Sequence, residues 1–201
     1  LGTSERIISL NAGDYYFCAL FESGKVKCWG HGGNGRNGCD QYSCANLGDE
    51  PNEMGTNLPF VELGGNVKEL ATGGQNSCAR MENGEVICWG QKFKTFDGAQ
   101  YSNRYILPLG GTAKKVFYGW TDNWRYCAIL QDDTIKCFKD YSTASQYTRT
   151  PVKPIEHIGS GDEQTVCALL NTGQITCHTT ANYLYQCGGD DQNDCNSNEL
   201  S

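Results

Sequence analysis

The stretch "CALFESGKVKCWG", residues 18–30, holds two cysteines ten positions apart with a Ser-Gly pair midway between them. The same frame returns without a gap as "CARMENGEVIC" (78–88), "CAILQDDTIKC" (127–137) and "CALLNTGQITC" (167–177). Each copy has Cys-Ala, a central turn and a β-branched residue two before the second cysteine. The copies start 60, 49 and 40 residues apart, so the motif is rigid while its connections vary. Self-similarity of this kind marks a repeat architecture.

The ten-residue gap has a geometric reading. If Phe21 faces Lys25 across the turn Glu22-Ser23-Gly24, stepping outward one pair at a time sets Cys18 opposite Cys28. Directly opposed strand residues have Cβ atoms about 4.5–5.5 Å apart, close to what a disulfide needs. Counting outward puts the pair in the non-hydrogen-bonded class, where side chains approach most closely. The third turn residue is Gly24, Gly84, Asp133 or Gly173. That position of a three-residue hairpin loop takes positive φ, which Gly accepts freely and Asp tolerates. The sequence therefore predicts four hairpin-internal disulfides: Cys18–Cys28, Cys78–Cys88, Cys127–Cys137 and Cys167–Cys177. Bridges between hairpins are the alternative. A loop this short gains only about 2–3 kcal/mol per bridge, so the bridges serve to hold register.

The chain has twelve cysteines, an even number, and the other four lie in "CDQYSC" (Cys39, Cys44) and "CGGDDQNDC" (Cys187, Cys195). Local pairing within each loop is the simplest connectivity, and a longer reach by Cys44 or Cys195 stays open. So many paired cysteines imply an oxidising compartment, hence a secreted, extracellular protein. Zinc would want closely spaced Cys/His clusters, whereas His31, His157 and His178 are scattered.

Twenty-five glycines, 19% charged residues and no sustained helical period point to a turn-rich all-β chain. An apolar run and a glycine precede each hairpin, as in "IISLNAGDYYFC" and "VKELATGGQNSC". Further upstream lie "LPFVELGG" (58–65), "ILPLGG" (106–111) and "TPVKPI" (150–155), which read as strands led by proline. Each unit is then a leading strand, a strand entering the hairpin, and a Gly-rich tail such as "WGHGGNGRNG". The units fall at about 6–57, 58–105, 106–149 and 150–186, with an acidic tail at 187–201. Short, evenly spaced strands argue a propeller-like repeat protein of four blades.

The string "GDYYFCALFESGKVKCWGHGGNGRNG" (13–38), followed by "GGQNSCARMENGEVICWG" (73–90), resembles the repeat of the regulator of chromosome condensation family in its cysteine-containing extracellular form. Copies three and four keep the Cys-Ala start and the turn but carry Phe138-Lys139 and His178-Thr179 in place of Trp-Gly. The resemblance covers most of residues 6–180 and implies a β-propeller with one four-stranded blade per repeat, usually seven blades. Where the family commonly has a histidine, two before the first cysteine, this chain has Tyr16, Asn76, Arg125 and Thr165. After Cys177 the sequence is polar and shows no closing strand. That leaves an open ring, or one completed by a neighbouring subunit, with "ERIISL" (5–10) and the last unit's edge available for pairing.

Trp29 and Trp89 read as packing between blades. "GWTDNWRY" (119–126) is a single copy of the tryptophan-arginine pattern of plant ultraviolet receptors in this family, and structural roles outrank photoreception. Asp190, Asp191, Asn193 and Asp194 offer calcium-type oxygens without EF-hand spacing, and a solvated acidic turn is the simpler reading. No nucleophile, metalloprotease or phosphate-loop signature occurs, so neither enzyme chemistry nor a cofactor is expected. Nucleotide exchange on a nuclear GTPase, known for the family's nuclear branch, conflicts with the inferred compartment. A net charge of −7 without a basic run argues against nucleic acid, and no apolar run approaches the length of a membrane span. The chain opens on Leu1 rather than Met and shows no signal segment, as a processed chain or a fragment would. No Asn-x-Ser/Thr acceptor occurs; "YSTASQYTRT" (141–150) is the loop-like candidate for a glycan or a contact. The leading expectation is a protein that binds protein partners, copies of itself included, in a polymer or surface layer. The rival is a sugar-binding propeller using Tyr101, Tyr105 and Tyr147.

Overall fold

In every repeat the hairpin turns on one left-handed residue: Gly24 (φ 81°), Gly84 (φ 83°), Asp133 (φ 67°) and Gly173 (φ 82°). Around it the hydrogen bonding repeats. Phe21 N donates to Lys25 O at 2.9 Å and Gly24 N to Phe21 O at 2.9 Å. Met81/Glu85 with Gly84/Met81, and Leu130/Thr134 with Asp133/Leu130, do the same within 2.8–3.0 Å. Asp133 can stand among glycines because a short polar side chain lowers the cost of this conformation. Its carboxylate also forms an ion pair with Lys114.

The computed structural model that reveals this describes residues 1–39, 44–91, 95–97, 100–102, 104–118, 126–138, 146–149, 155–160, 165–170, 172–179 and 184–187. The first sheet holds β1 (Ile7–Gly13), β2 (Tyr16–Phe21) and β3 (Val26–Gly30). The second holds β4 (Val67–Gly73), β5 (Asn76–Met81) and β6 (Val86–Gly90). A two-stranded ribbon follows, β7 (Thr95–Asp97) with β8 (Gln100–Ser102), and β9 (Arg104–Ile106) then closes the second sheet against β6. The third runs β10 (Ala113–Tyr118), β11 (Tyr126–Leu130), β12 (Ile135–Phe138) and β13 (Gln146–Arg149). The fourth runs β14 (Ile155–Ser160), β15 (Thr165–Leu170), β16 (Ile175–Thr179) and β17 (Leu184–Cys187). Neighbouring strands are antiparallel throughout. Each sheet is thus a chain-ordered meander, and the first strands stand side by side, β4 between β1 and β10, with β10 touching β14. This is propeller construction.

The register puts Cys18 opposite Cys28, Cys78 opposite Cys88, Cys127 opposite Cys137 and Cys167 opposite Cys177. Disulfides join the first three of these pairs, with Cα–Cα distances of 4.0–4.1 Å, and also join Cys39 to Cys44. For the fourth pair the backbone alone is described.

Two sequence expectations change. Residues 58–63 and 107–109 are not strands. Pro59 and Pro108 bring no backbone N–H to a ladder, so these segments run as irregular chain and bury Leu58, Leu63, Leu107 and Leu109. The leading strands begin instead after the glycine pairs, at Val67 and Ala113. Second, the fourth sheet does have a closing strand. β17 pairs with β16 from His178↔Leu184 to Ile175↔Cys187, taking Cys187 out of the polar tail. An edge strand needs only backbone groups to pair, so the polarity of the region hid it.

Among the described residues, the outer position of the first sheet is filled at its two ends only. Leu47 bridges Gly30 at one end, and Val61 N donates to Val26 O at 2.8 Å at the other. Residues 48–60 leave the sheet between these points.

Gly84→Ala and Gly173→Ala distinguish conformation from packing. A Cβ on Gly84 would lie 2.7 Å from Thr112 Cβ, whereas one on Gly173 meets nothing within 4 Å. Chemical denaturation should show a loss of about 1 kcal/mol at Gly173 and about 2–3 kcal/mol at Gly84, where overpacking adds to strain. Equal losses would show that Thr112 yields freely. Among the bridges, Cys18–Cys28 and Cys78–Cys88 are buried while Cys39 and Cys44 are partly exposed. Mild reduction of the folded protein followed by alkylation and peptide mapping should therefore label Cys39 and Cys44 first.

Candidate binding surface

Alternation along each hairpin gives every sheet two faces, and the seams between sheets show what each face is for. From the first sheet Leu20 and Val26, with Leu63 behind them, meet Val67, Leu70 and Trp89 of the second. From the second, Val86 with Leu107 and Leu109 meets Ala113, Val116 and Phe138 of the third. We call these the trailing face, carrying Val26 or Val86, and the leading face, carrying Leu70 or Val116.

Polar groups close the seams. The carbonyl of turn residue Gly24 accepts from Val67 N at 2.9 Å, and that of Gly84 from Ala113 N at 2.8 Å. The Tyr16 hydroxyl donates to Asn76 O and bonds to Ser77 Oγ at 2.8 Å. Burial pushes its pKa far above the ordinary tyrosine value, the Ser77 bond opposing only in part, so it stays a neutral donor. Tyr126 reaches Gly73 O at 3.1 Å in the next seam. The Gly-rich tail of the first repeat also serves its seam. Arg36 is buried and donates to Asp14 O and to Gln75 Oε1, while its carbonyl accepts from Trp89 Nε1 at 3.2 Å. Glu69 joins the second and third sheets, accepting from Val116 N at 3.0 Å beside its partner Arg80.

Among the described residues the leading face of the first sheet is only half covered. Phe60 sits edge-on to Phe21, and the buried Lys27 ammonium caps Leu1 O and Gly55 O, each at 3.0 Å. Residues 48–60 and the N-terminal segment thus cover the part that carries Phe21 and Lys27. The other half is open. Leu10 is 62% exposed, where Leu70 and Val116 at the same repeat position are 6% and 4% exposed. Ile7 and Phe17 are exposed, where Val67, Ala113, Ser77 and Tyr126 are buried. Trp29 stacks on Phe17 at a centroid distance of 5.8 Å and is partly exposed, where Trp89 and Phe138 are buried. This apolar strip is what the described residues offer as a binding surface.

The residues singled out from sequence distribute otherwise. Trp89 packs in a seam, while Trp29 lies on the open face. Tyr105 packs against the core between the second and third sheets. The side chains of Tyr101 and Tyr147, residues 119–125 of the tryptophan-arginine segment, and Asp190, Asp191, Asn193 and Asp194 lie outside the described residues. His31 accepts from Gly33 N at 3.0 Å, and His157 and His178 fall in separate strands, β14 and β16. Among the described residues no three His, Cys, Asp or Glu side chains gather to hold a metal ion, and no helix is long and apolar enough to cross a membrane. Sequence reasoning missed the strip itself, because Leu10 and Leu70 occupy equivalent apolar positions.

Such seams, built on chain-ordered antiparallel sheets, define a β-propeller of stapled repeats. The regulator of chromosome condensation (RCC1) repeat model matches residues 7–36 and 67–91, so these two segments are similar to RCC1 repeats. It is 32% identical over 85 residues to the mitochondrial RCC1 domain-containing protein RUG3 of Arabidopsis thaliana, covering 42% of this chain and 17% of that protein. Among solved structures it is similar to Saccharomyces cerevisiae Prp20p, with a TM-score of 0.64, 15% identity and coverage of 92% of this chain and 51% of that one. The ectodomain of the Arabidopsis thaliana receptor kinase ACR4 gives a TM-score of 0.52 at 17% identity, covering 89% and 55%. At these identities the structures show the fold alone. The chain spans about half the length of the solved chains and a smaller share of the curated relative.

The seam makes Trp29 and Trp89 unequal. Trp89→Phe should cost about 1 kcal/mol in denaturant unfolding through the lost bond to Arg36 O. Trp29→Phe, on the open face, should stay within about 0.5 kcal/mol of the parent.

Proposed function

We propose that this chain is an extracellular, non-enzymatic protein-binding module, a disulfide-stapled propeller that works by surface complementarity within a polymer or surface layer. The observation that carries the reading is the open strip of Ile7, Leu10, Phe17 and Trp29 at positions the second and third sheets bury. Fully burying a Leu or Phe side chain is worth about 1.5–3 kcal/mol, so a partner that covers the strip is rewarded at several points together. Hairpins closed by buried disulfides suit an oxidising compartment. The match to a mitochondrial relative spans too little of that protein to carry a compartment. Two of the similar structures agree with this class of work: Prp20p was solved together with its binding to Gsp1p and histones, and ACR4 contributes an ectodomain. The sugar-binding alternative is weakened because Tyr105 lends its ring to the core.

The test uses the chain expressed through a secretory pathway with p-benzoylphenylalanine in place of Leu10. Alkylation without reductant should label none of the twelve cysteines, and irradiation should give discrete protein adducts with copies of the chain or with extracellular proteins. Reactive hairpin thiols would overturn the compartment, and recovery of unadducted chain alone would overturn the binding role.

A further inference from the structure

One repeat position changes character between the sheets. Ile87 lies opposite Ala79, and at the same place, opposite Ala19 and Ala128, the first and third sheets carry Lys27 and Lys136. Lys27 is buried, its ammonium donating to Gly55 O at 3.0 Å. Lys136 Nζ lies 3.5 Å from where a Cβ on Gly110 would stand, so its side chain covers that glycine. Its charge also helps to hold the Asp132 carboxylate below the usual range, after the larger effect of hydrogen bonds from Thr134. Gly64 is the counterpart of Gly110 ahead of the second sheet. Each has a positive φ, 76° and 65°, and each is followed by a second glycine before the leading strand. Yet a Cβ on Gly64 would meet nothing within 4 Å. The space that a lysine stem occupies on the third sheet is here an open groove of about 480 Å³. Leu63, Met81 and Ile87 form its apolar floor, and the exposed Glu82 and Glu85 stand at its rim. Glu82 is already paired with Lys68 at 2.8 Å, whereas Glu85 accepts from the neutral Asn83 amide at 2.7 Å.

We propose that this groove receives a lysine side chain from a partner protein, its stem along Leu63, Met81 and Ile87 and its ammonium beside Glu85. The site lies between the first and second sheets, apart from the open strip, and does not depend on it. Two observations name the occupant. The first and third sheets place a lysine of their own at this repeat position, and the rim of the groove on the second sheet is acidic. A lysine suits both parts of the groove, because its methylenes cover apolar surface while the charged head stays at the wet edge. Ile87 is too short and carries no charge, so the second sheet leaves to a partner what Lys27 and Lys136 do within the chain.

The chain has two methionines, Met54 and Met81, so 13C-methyl methionine labelling gives one signal in the groove and one control outside it. The purified chain is titrated with an acetylated, amidated Gly-Ser-Lys-Ser-Gly peptide, and separately with the same peptide carrying norleucine in place of lysine. The Met81 signal should move saturably with the lysine peptide alone, while that of Met54 stays still. Glu85→Gln should weaken binding about two- to fivefold, the range of an exposed ion pair. Its side chain is exposed, so the thermal midpoint should stay unchanged. Ile87→Lys gives the second sheet the lysine that the first and third carry, and should weaken binding about tenfold or more through like charge and lost space. A Met81 signal that stays still, or that moves alike with the norleucine peptide, overturns the proposal. So does undiminished binding by Ile87→Lys. None of these results touches the protein-binding reading, whose strip is tested at Leu10.

Discussion

Everything in this protein hangs on one left-handed residue per hairpin and on where its carbonyl goes. At Gly24 and Gly84 the positive φ closes a three-residue turn and hands the turn carbonyl to the first N–H of the next sheet. One backbone conformation thereby sets two registers. Within the hairpin it brings the cysteines opposite each other. Between sheets it fixes how far along its neighbour the next leading strand begins, and the apolar residues that follow fall into place.

The seams are where stability and interaction share a design. The first two have apolar interiors of alternating residues and a tyrosine bonded to a backbone carbonyl, and in the first a tryptophan and an arginine also find backbone or amide partners. Tyr16 and Arg36 are buried because the neighbouring sheet supplies Asn76, Ser77 and Gln75 to bond with them. Buried polar groups are as a rule so paired. The Gly/Asn-rich tail after Trp29 belongs to the same scheme, since it turns the Arg36 carbonyl to the Trp89 indole of the following sheet. On the first sheet no other described sheet lies against the leading face. Its own 48–60 segment and N-terminal residues take over part of the leading face, and Lys27 stands where the second sheet has Ile87.

Much of this was legible in the residues. The cysteine spacing, the turn glycines and Asp133 lead to hairpin register by counting, since period two and the turn length leave little freedom. The repeat motif led to the propeller. The leading strands were displaced because an apolar run with a proline resembles a strand until its hydrogen bonds are traced. β17 went unseen because four residues beside an existing edge need no apolar pattern. The Tyr105 ring, read as an exposed sugar platform, lies against the core because β9 returns beside β6 after the β7–β8 ribbon, a connection that nothing in the local sequence announces.

By itself the sequence determined the hairpins, their facing cysteines and the repeated leading positions, because these follow from interactions across a few residues. Whether an apolar residue at such a position is covered was decided by tertiary structure alone. Leu10 and Leu70 are the same residue at the same repeat position, yet one is 62% exposed and the other 6%. Burial in a stacked sheet depends on the presence of a neighbour on that side, and a neighbour is a property of the array rather than of the strand.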